Sequence, residues 1–215
     1  PFAKILKNTP TIIGMAPNID KENTAVSRGV ATVGSPWQGW VYQYPGALGP
    51  IPLLAKNANG VGMMIIAPEK DGVVRRMPLV VAVGDKLYPS MSMETLRMAA
   101  GDISYQMKTG MAGVEALRIP KYKIIKTDAY GNIWLDFKWK TPVYALHEKL
   151  PNLNGKIVIV SITASGLDNP VPTPVGVIHS HDLIGASLAT MMTGRNITRP
   201  YWTNLAELGT SFGLA

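Results

Sequence analysis

The sequence predicts an α/β fold: a central mixed sheet with helices packed on it and at least one antiparallel hairpin. Three observations carry that expectation. Short apolar runs bounded by Gly and Pro, among them TIIGMA at 11–16, VGMMIIA at 61–67 and GKIVIVSITA at 155–164, have the length and composition of strands. PSMSMETLRMAAG and IHSHDLIGASLATMMTG are longer and read as amphipathic helices. Asp71-Gly72 and Gly131-Asn132 are dipeptides that suit tight turns. With 215 residues, 47% of them hydrophobic and 16% charged, the chain can bury a sizeable core and is not a disordered segment.

Taken in order, PFAKILKN reads as the end of an amphipathic helix with Phe2, Ile5 and Leu6 on one face. TIIGMA is a buried strand. The segment from there to Gly49 is rich in Gly, Pro, Asn and aromatics and has no sustained period, so it is a packed excursion or part of a binding face. Its Trp37, Trp40, Tyr42 and Tyr44 either line a pocket or anchor the excursion. IPLLAKNA offers one or two helical turns and VGMMIIA a strand. VVRRMPLVVAV follows the PEKDG turn as a strand, and Pro78 inside it requires an edge or a bulge because proline has no amide hydrogen to donate.

After the GDK turn, Ser90 is a suitable N-cap for a helix whose Met93, Leu96 and Ala100 share a face and whose terminator is Gly101. VEALRIP is a strand. YKIIKTD and IWLDFKW are joined across AYGN as a hairpin, and VYALHEKL is compatible with a helix. GKIVIVSITA is the clearest buried strand, since its apolar run is nearly continuous. With the loop SGLDNPVPTPVG and the long helix ending at Gly194, it predicts half of a βαβ unit.

The 21 basic and 14 acidic side chains leave a net charge of +7, which favours anionic partners or an anionic membrane surface. The basic residues are spread from Lys4 to Arg199 without aromatic platforms between them, a distribution that argues against nucleic acid. The absence of cysteine excludes disulfides and thiol catalysis. No run of about 18 apolar residues is present to span a bilayer. NITRPYWTNLAELGTSFGLA places Arg195, Arg199, Tyr201 and Trp202 ahead of a mostly apolar stretch. That is the order in which a helix enters a membrane, although Glu207 also suits an amphipathic terminal helix.

Arg75 and Arg76 are adjacent, and in a regular strand they would point to opposite faces, so at most one could grip a given anion; the structural alternative is that one is solvated and the other pairs with a carboxylate such as Asp71 or Glu69. His179 and His181 flank Ser180, and with Asp168 they could surround a metal ion from a loop, although histidines at the mouth of a helix more often cap or hydrogen-bond. The loop before them lacks the glycine spacing and the Gly-Lys-Ser/Thr ending of a phosphate cradle, and TASGL is not in the frame of a nucleophile elbow. No residue is assigned a catalytic role, and no cofactor or metal is called for. The candidate ligand-binding residues are Arg75, Arg76, Asp168, His179 and His181.

Read in order, DGVVRRMPL, LYPSMSMETLRMAAG, GKIVIVSITASGLD and TPVGVIHSH resemble the second type of CHASE domain, the cyclases/histidine kinases associated sensory extracellular domains. The resemblance runs from Asp71 to His181 through an acidic-Gly turn, an Arg-Arg strand, a Pro-Ser helix start, a Gly-Lys strand, a Thr-Pro loop and a Gly-Val-Ile-His segment. Ser161 stands where that strand commonly ends in Gly, and the loop between Asp168 and Thr173 is short. The resemblance implies an extracytoplasmic sensor over residues 1–200 whose beginning is missing, with 201–215 opening a membrane-entering helix. It implies a bacterial receptor with a class III adenylate or guanylate cyclase, a histidine kinase or a serine/threonine kinase as its output. It further implies a homodimer at the cell membrane, facing the periplasm or the exterior, that responds to an unidentified small molecule or other stimulus. The alternative is a soluble α/β small-molecule-binding protein or a metal-dependent enzyme built on His179, His181 and Asp168.

Overall fold

The computed structural model describes residues 1–20, 24–26, 29–164, 166–168, 170–197 and 203–213. The first element is helix α1 (Phe2–Asn8), whose face departs from the expected one: Leu6 is buried, while Phe2 and Ile5 are each 57% exposed. Strand β1 (Ile12–Asn18) follows. The excursion after it carries three short strands, β2 (Ala31–Gly34), β3 (Gln43–Tyr44) and β4 (Gly46–Leu48). Trp37 is buried and Trp40 packs on the same core, so these aromatics anchor an otherwise irregular segment. Helix α2 (Pro52–Asn57) leads into β5 (Gly60–Met63), and β1 lies between β4, antiparallel, and β5, parallel.

The VVRRMPLVVAV run is two strands, β6 (Arg76–Pro78) and β7 (Val80–Val83). The break falls directly after Pro78, and Leu79 bonds elsewhere: its N–H donates to Gly131 O at 3.0 Å and its carbonyl accepts from Ser90 N at 2.8 Å. β7 then pairs with β3, parallel, and with β8 (Lys86–Pro89), antiparallel. Helix α3 (Met91–Ala99) starts where expected, with Ser90 Oγ accepting from Met93 N at 3.2 Å, and ends at Gly101 with φ +64°.

Strands β9 (Gln106–Gly110), β10 (Gly113–Ile119) and β11 (Lys123–Lys126) form an antiparallel meander whose outer edge takes β2 in parallel. The expected hairpin across AYGN is not formed. β12 (Asn132–Trp134) leaves the turn at Gly131 and pairs with β6, because Asp128 closes that turn on itself and sends the chain to another sheet. The last strands are the hairpin β13 (Val171–Thr173) and β14 (Gly176–Ile178), followed by α4 (Ser180–Thr193), which stops at left-handed Gly194, and by α5 (Thr203–Gly213).

The architecture is therefore α/β with antiparallel hairpins, as expected, but the strands are divided among several small mixed sheets. One core joins α3 and α4 through Met93, Leu96, Leu183 and Leu188 to Leu117 and Ile133; a second gathers Met15, Met63, Val81 and Tyr88. Between the two helices the buried hydroxyls of Ser187 and Ser92 bond at 2.9 Å, a contact that small side chains permit.

The largest departure lies between 138 and 164, which holds neither the helix expected at VYALHEKL nor the buried strand expected at GKIVIVSITA. Val160 is 90% exposed and Ile162 66% exposed. A strand of this composition is stable only with neighbours on its edges and cover on its faces, and among the described residues no strand pairs with this segment. The strand half of the expected βαβ unit is therefore absent, while its helix, α4, is present. Among the described residues no helix is long and apolar enough to cross a membrane. Arg199, Tyr201 and Trp202, on which the membrane-entry expectation rests, lie outside the described residues.

Candidate functional site

The arginine cluster begins with a turn. Gly72, at φ +79°, donates its N–H to Glu69 O at 2.9 Å, and Val73 N donates to Asp71 Oδ1 at 3.1 Å. Residues 73–75 are irregular, and β6 starts only at Arg76. That irregularity overturns the expectation that the two arginines diverge. Arg75 Nη1 reaches Glu69 Oε2 at 3.1 Å, and Arg76 Nε reaches Glu69 Oε1 at 3.0 Å. Arg75 also forks onto Asp71 through Nη1 at 3.1 Å and Nη2 at 2.8 Å, the planar bidentate geometry that lysine cannot supply.

Arg76 donates to Asp128 Oδ2 at 3.1 Å, and its guanidinium carbon lies 5.0 Å from the centre of the Trp134 ring. Asp128 in turn accepts from the backbone N–H groups of Tyr130 and Asn132, each at 2.9 Å. Two guanidinium groups thus serve three carboxylates, and an incoming anion would have to displace one of them.

The hydrogen bond from Arg75, followed by that from Val73 N, holds the Asp71 carboxyl at about 2, below its ordinary 3.8. A carboxyl depressed in the folded state adds stability that is present above its unfolded value and lost as pH falls through the folded one. Asp71→Asn should therefore flatten the pH dependence of unfolding between about pH 4 and pH 2 and leave it unchanged above that window. Denaturant midpoints of the two proteins at pH 2, 3, 4 and 6 check this; parallel profiles would refute it.

The second cluster sits at the open end of the β13–β14 hairpin. Thr173 Oγ1 ties its turn by donating to Gly176 O at 2.6 Å. Asp168 precedes β13 and His179 follows β14, so the hairpin register brings them together. Asp168 Oδ2 accepts from His179 Nδ1 at 2.7 Å, and Asp168 Oδ1 accepts from Ser180 Oγ, also at 2.7 Å. The Asp168 side chain is 7% exposed and that of His179 42% exposed. The Ser180 hydroxyl bond, opposed by burial and aided by His179, holds the Asp168 carboxyl below the usual carboxylate range. Its position before the first turn of α4 also suits an anion.

With Nδ1 engaged, His179 Nε2 meets no protein partner among the described residues. The ring stacks on His181 with centroids 5.5 Å apart, and the buried Nδ1 of His181 has no hydrogen-bond partner among the described residues. Among the described residues, no group of three or more His, Cys, Asp or Glu side chains is placed to hold a metal ion. In this cluster Asp168 acts as a hydrogen-bond acceptor that orients His179.

The two clusters adjoin: Val74 N donates to Pro172 O at 2.8 Å, so the backbone beside Arg75 is pinned to β13. The five candidate residues thus fall into two groups on either side of one backbone bond. Two small pockets, one lined by residues such as Asp136, Trp139 and Arg195 and the other by residues such as Gly60, Glu94 and Tyr105, include none of the five. Sequence reasoning missed Asp128 and Trp134 as partners of Arg76, since strand pairing alone brings them there. It also missed the buried pair of Glu94 and Arg97 on α3, which the i,i+3 spacing could have signalled.

The domain is mixed α/β, with Asp168 beside the last hairpin tied to the start of α4 and with Arg75 and Arg76 held by the protein's own carboxylates. A family model described as the CHASE2 domain matches residues 1–215, and the chain belongs to that family, the sensory extracellular domains of cyclase and kinase receptors. No curated protein and no solved structure matches the chain.

Proposed function

We propose that this chain is the extracytoplasmic input domain of a bacterial transmembrane receptor whose output is a class III adenylate or guanylate cyclase, a histidine kinase or a serine/threonine kinase. The observation that carries the reading is the family match over the whole chain. On this reading the domain faces the periplasm or the cell exterior, is joined to the membrane by flanking helices, and works as a homodimer without a cofactor and without nucleic acid. Catalysis resides in the effector and not in this chain.

The stimulus acts at Arg75, Arg76, Asp168, His179 and His181. What supports this is that Asp168, just ahead of the hairpin, accepts hydrogen bonds from His179 and Ser180 at the start of α4, and that Val74 N donates to Pro172 O of the hairpin beside the arginine segment. A ligand that takes the outer nitrogen of His179 or competes for Asp168 would bind one arrangement of hairpin and helix better than the other, as any ligand that shifts an equilibrium must. The displacement would be read along α4.

The test is made in the full-length receptor. His179→Ala and Asp168→Asn should each change the stimulus response of the cyclase or kinase by about tenfold, the scale of 1–2 kcal/mol of coupling, while membrane abundance stays constant. Unchanged output from both variants, and from a receptor whose whole input domain has been replaced, would overturn the reading.

A further inference from the structure

A cavity at the far end of α4 contains none of the residues assigned above. It measures about 60 Å³ and is lined by Asp136, Lys138 and Trp139, which follow β12, and by Ala189, Thr193 and Arg195 at the end of α4. The chain after β12 is pinned to the helix, because Asp136 N donates to the buried Thr190 Oγ1 at 2.9 Å. A turn then fixes the carboxylate: Lys138 N donates to Asp136 Oδ1 at 3.0 Å. The charges around the cavity are not spent on one another. Arg195 Nη1 lies 3.9 Å from Asp136 Oδ2, beyond hydrogen-bonding distance. Neither that oxygen, nor the Arg195 guanidinium, nor the Lys138 ammonium has a hydrogen bond among the described residues. Arg75 and Arg76 differ in this respect, since Glu69, Asp71 and Asp128 take their donors. The Asp136 side chain is 17% exposed and that of Arg195 69% exposed, so the acceptor lies deeper than the donor.

We propose that this cavity binds a small zwitterionic amino acid, with its ammonium on Asp136 and its carboxylate on Arg195 and Lys138. A guanidinium forks onto a carboxylate through two parallel N–H groups, and the Arg195 fork is open. The ammonium is favoured by Asp136 Oδ2 and by the C-terminus of α4, the negative end of a 14-residue helix. A simple anion would lie against Asp136 without a cation of its own, and a simple amine would leave Arg195 and Lys138 unanswered. Both charges are therefore needed on one ligand. The Trp139 ring and the Ala189 methyl offer a short apolar wall for a side chain. A cavity of about 60 Å³ holds about four to six water-sized groups at the ~10–15 Å³ that each requires, which limits the ligand to about the size of alanine.

This site lies at the end of α4, whereas the stimulus site proposed above adjoins its start, and the proposal does not rest on that reading. The test is calorimetric titration of the 215-residue chain with L-alanine, and with propionate and ethylamine, each of which lacks one of alanine's two charges. L-alanine should bind saturably, and propionate and ethylamine at least about tenfold more weakly, since each leaves a charged group of the cavity unpaired. Arg195→Gln and Asp136→Asn should each weaken L-alanine by about tenfold or more with an unchanged circular dichroism spectrum. Asparagine keeps a side-chain oxygen to accept from Lys138 N, so the turn survives that change. The absence of saturable binding by L-alanine, or an affinity unchanged in both variants, would overturn the proposal. Propionate bound as tightly as L-alanine would also overturn it, by showing an anion site in place of one for a zwitterion. Binding is read on the chain itself, so none of these outcomes bears on the receptor reading.

Discussion

Arg97→Ala is expected to lower the stability of the domain by about 3–5 kcal/mol, the cost of leaving one member of a buried ion pair without the other. The side chains of Arg97 and Glu94 are 4% and 2% exposed. Their contact is bidentate, Nε to Oε2 at 2.8 Å and Nη2 to Oε1 at 2.7 Å, and Tyr105 donates to the same carboxylate at 3.2 Å. Arg97 also donates to the Asp102 carbonyl just past the end of α3. Removing the guanidinium leaves a desolvated carboxylate with Tyr105 as its remaining side-chain donor and frees that carbonyl.

Replacing both members, as Glu94→Met/Arg97→Met, should cost far less than either single change, because the expensive state is an unpaired buried charge and not the absence of the pair. Urea unfolding of the single and double variants separates these effects. A value for Arg97→Ala within about 1 kcal/mol of wild type, typical of a surface pair, would refute the account.

Gly62→Ala is the second large effect, about 1–3 kcal/mol, and it arises from crowding alone. A Cβ at Gly62 would lie 2.5 Å from Met91 Cα, 3.0 Å from Met91 N and 3.2 Å from Ser90 O. All three are main-chain atoms at the start of α3, where the Ser90 cap holds the first turn in place. β5 approaches α3 this closely only because position 62 has no side chain.

Gly14, its partner in the register of β1 and β5, makes the control. A Cβ there would meet Met64 Sδ at 2.6 Å, the flexible end of a side chain that is 48% exposed and free to swing away. Thermal unfolding should therefore rank Gly62→Ala well below Gly14→Ala. Equal midpoints would show that the backbone of α3 gives as readily as a methionine.

How far the site was legible can be read from particular residues. His179 and Asp168 stand out by their types and by their place around a Pro-rich loop, and the hairpin between them brings them to hydrogen-bonding distance. The arginines are legible as candidates too, but their geometry is not, because alternation along a strand is a property of regular strands and residues 73–75 are not one. Asp128 was invisible as their partner: it lies 52 residues from Arg76, and nothing local links the two. The helices α3 and α4 were legible nearly to the residue, since a Ser cap, apolar spacing and a terminal glycine are signals carried within a dozen positions.

By itself the sequence determined the family, the α/β class, the two core helices and the turns at Gly72, Gly101 and Gly194, all of which depend on neighbours along the chain or on residue types in a set order. Only the tertiary structure decided which strands pair, that both arginines close on Glu69, and that GKIVIVSITA stays unpaired. A strand is stabilised by partners remote in sequence, and its composition states that it needs them without stating where they are. Helix propensity and capping are satisfied within the segment itself, which is why α3 and α4 are legible in the sequence and the fate of GKIVIVSITA is not.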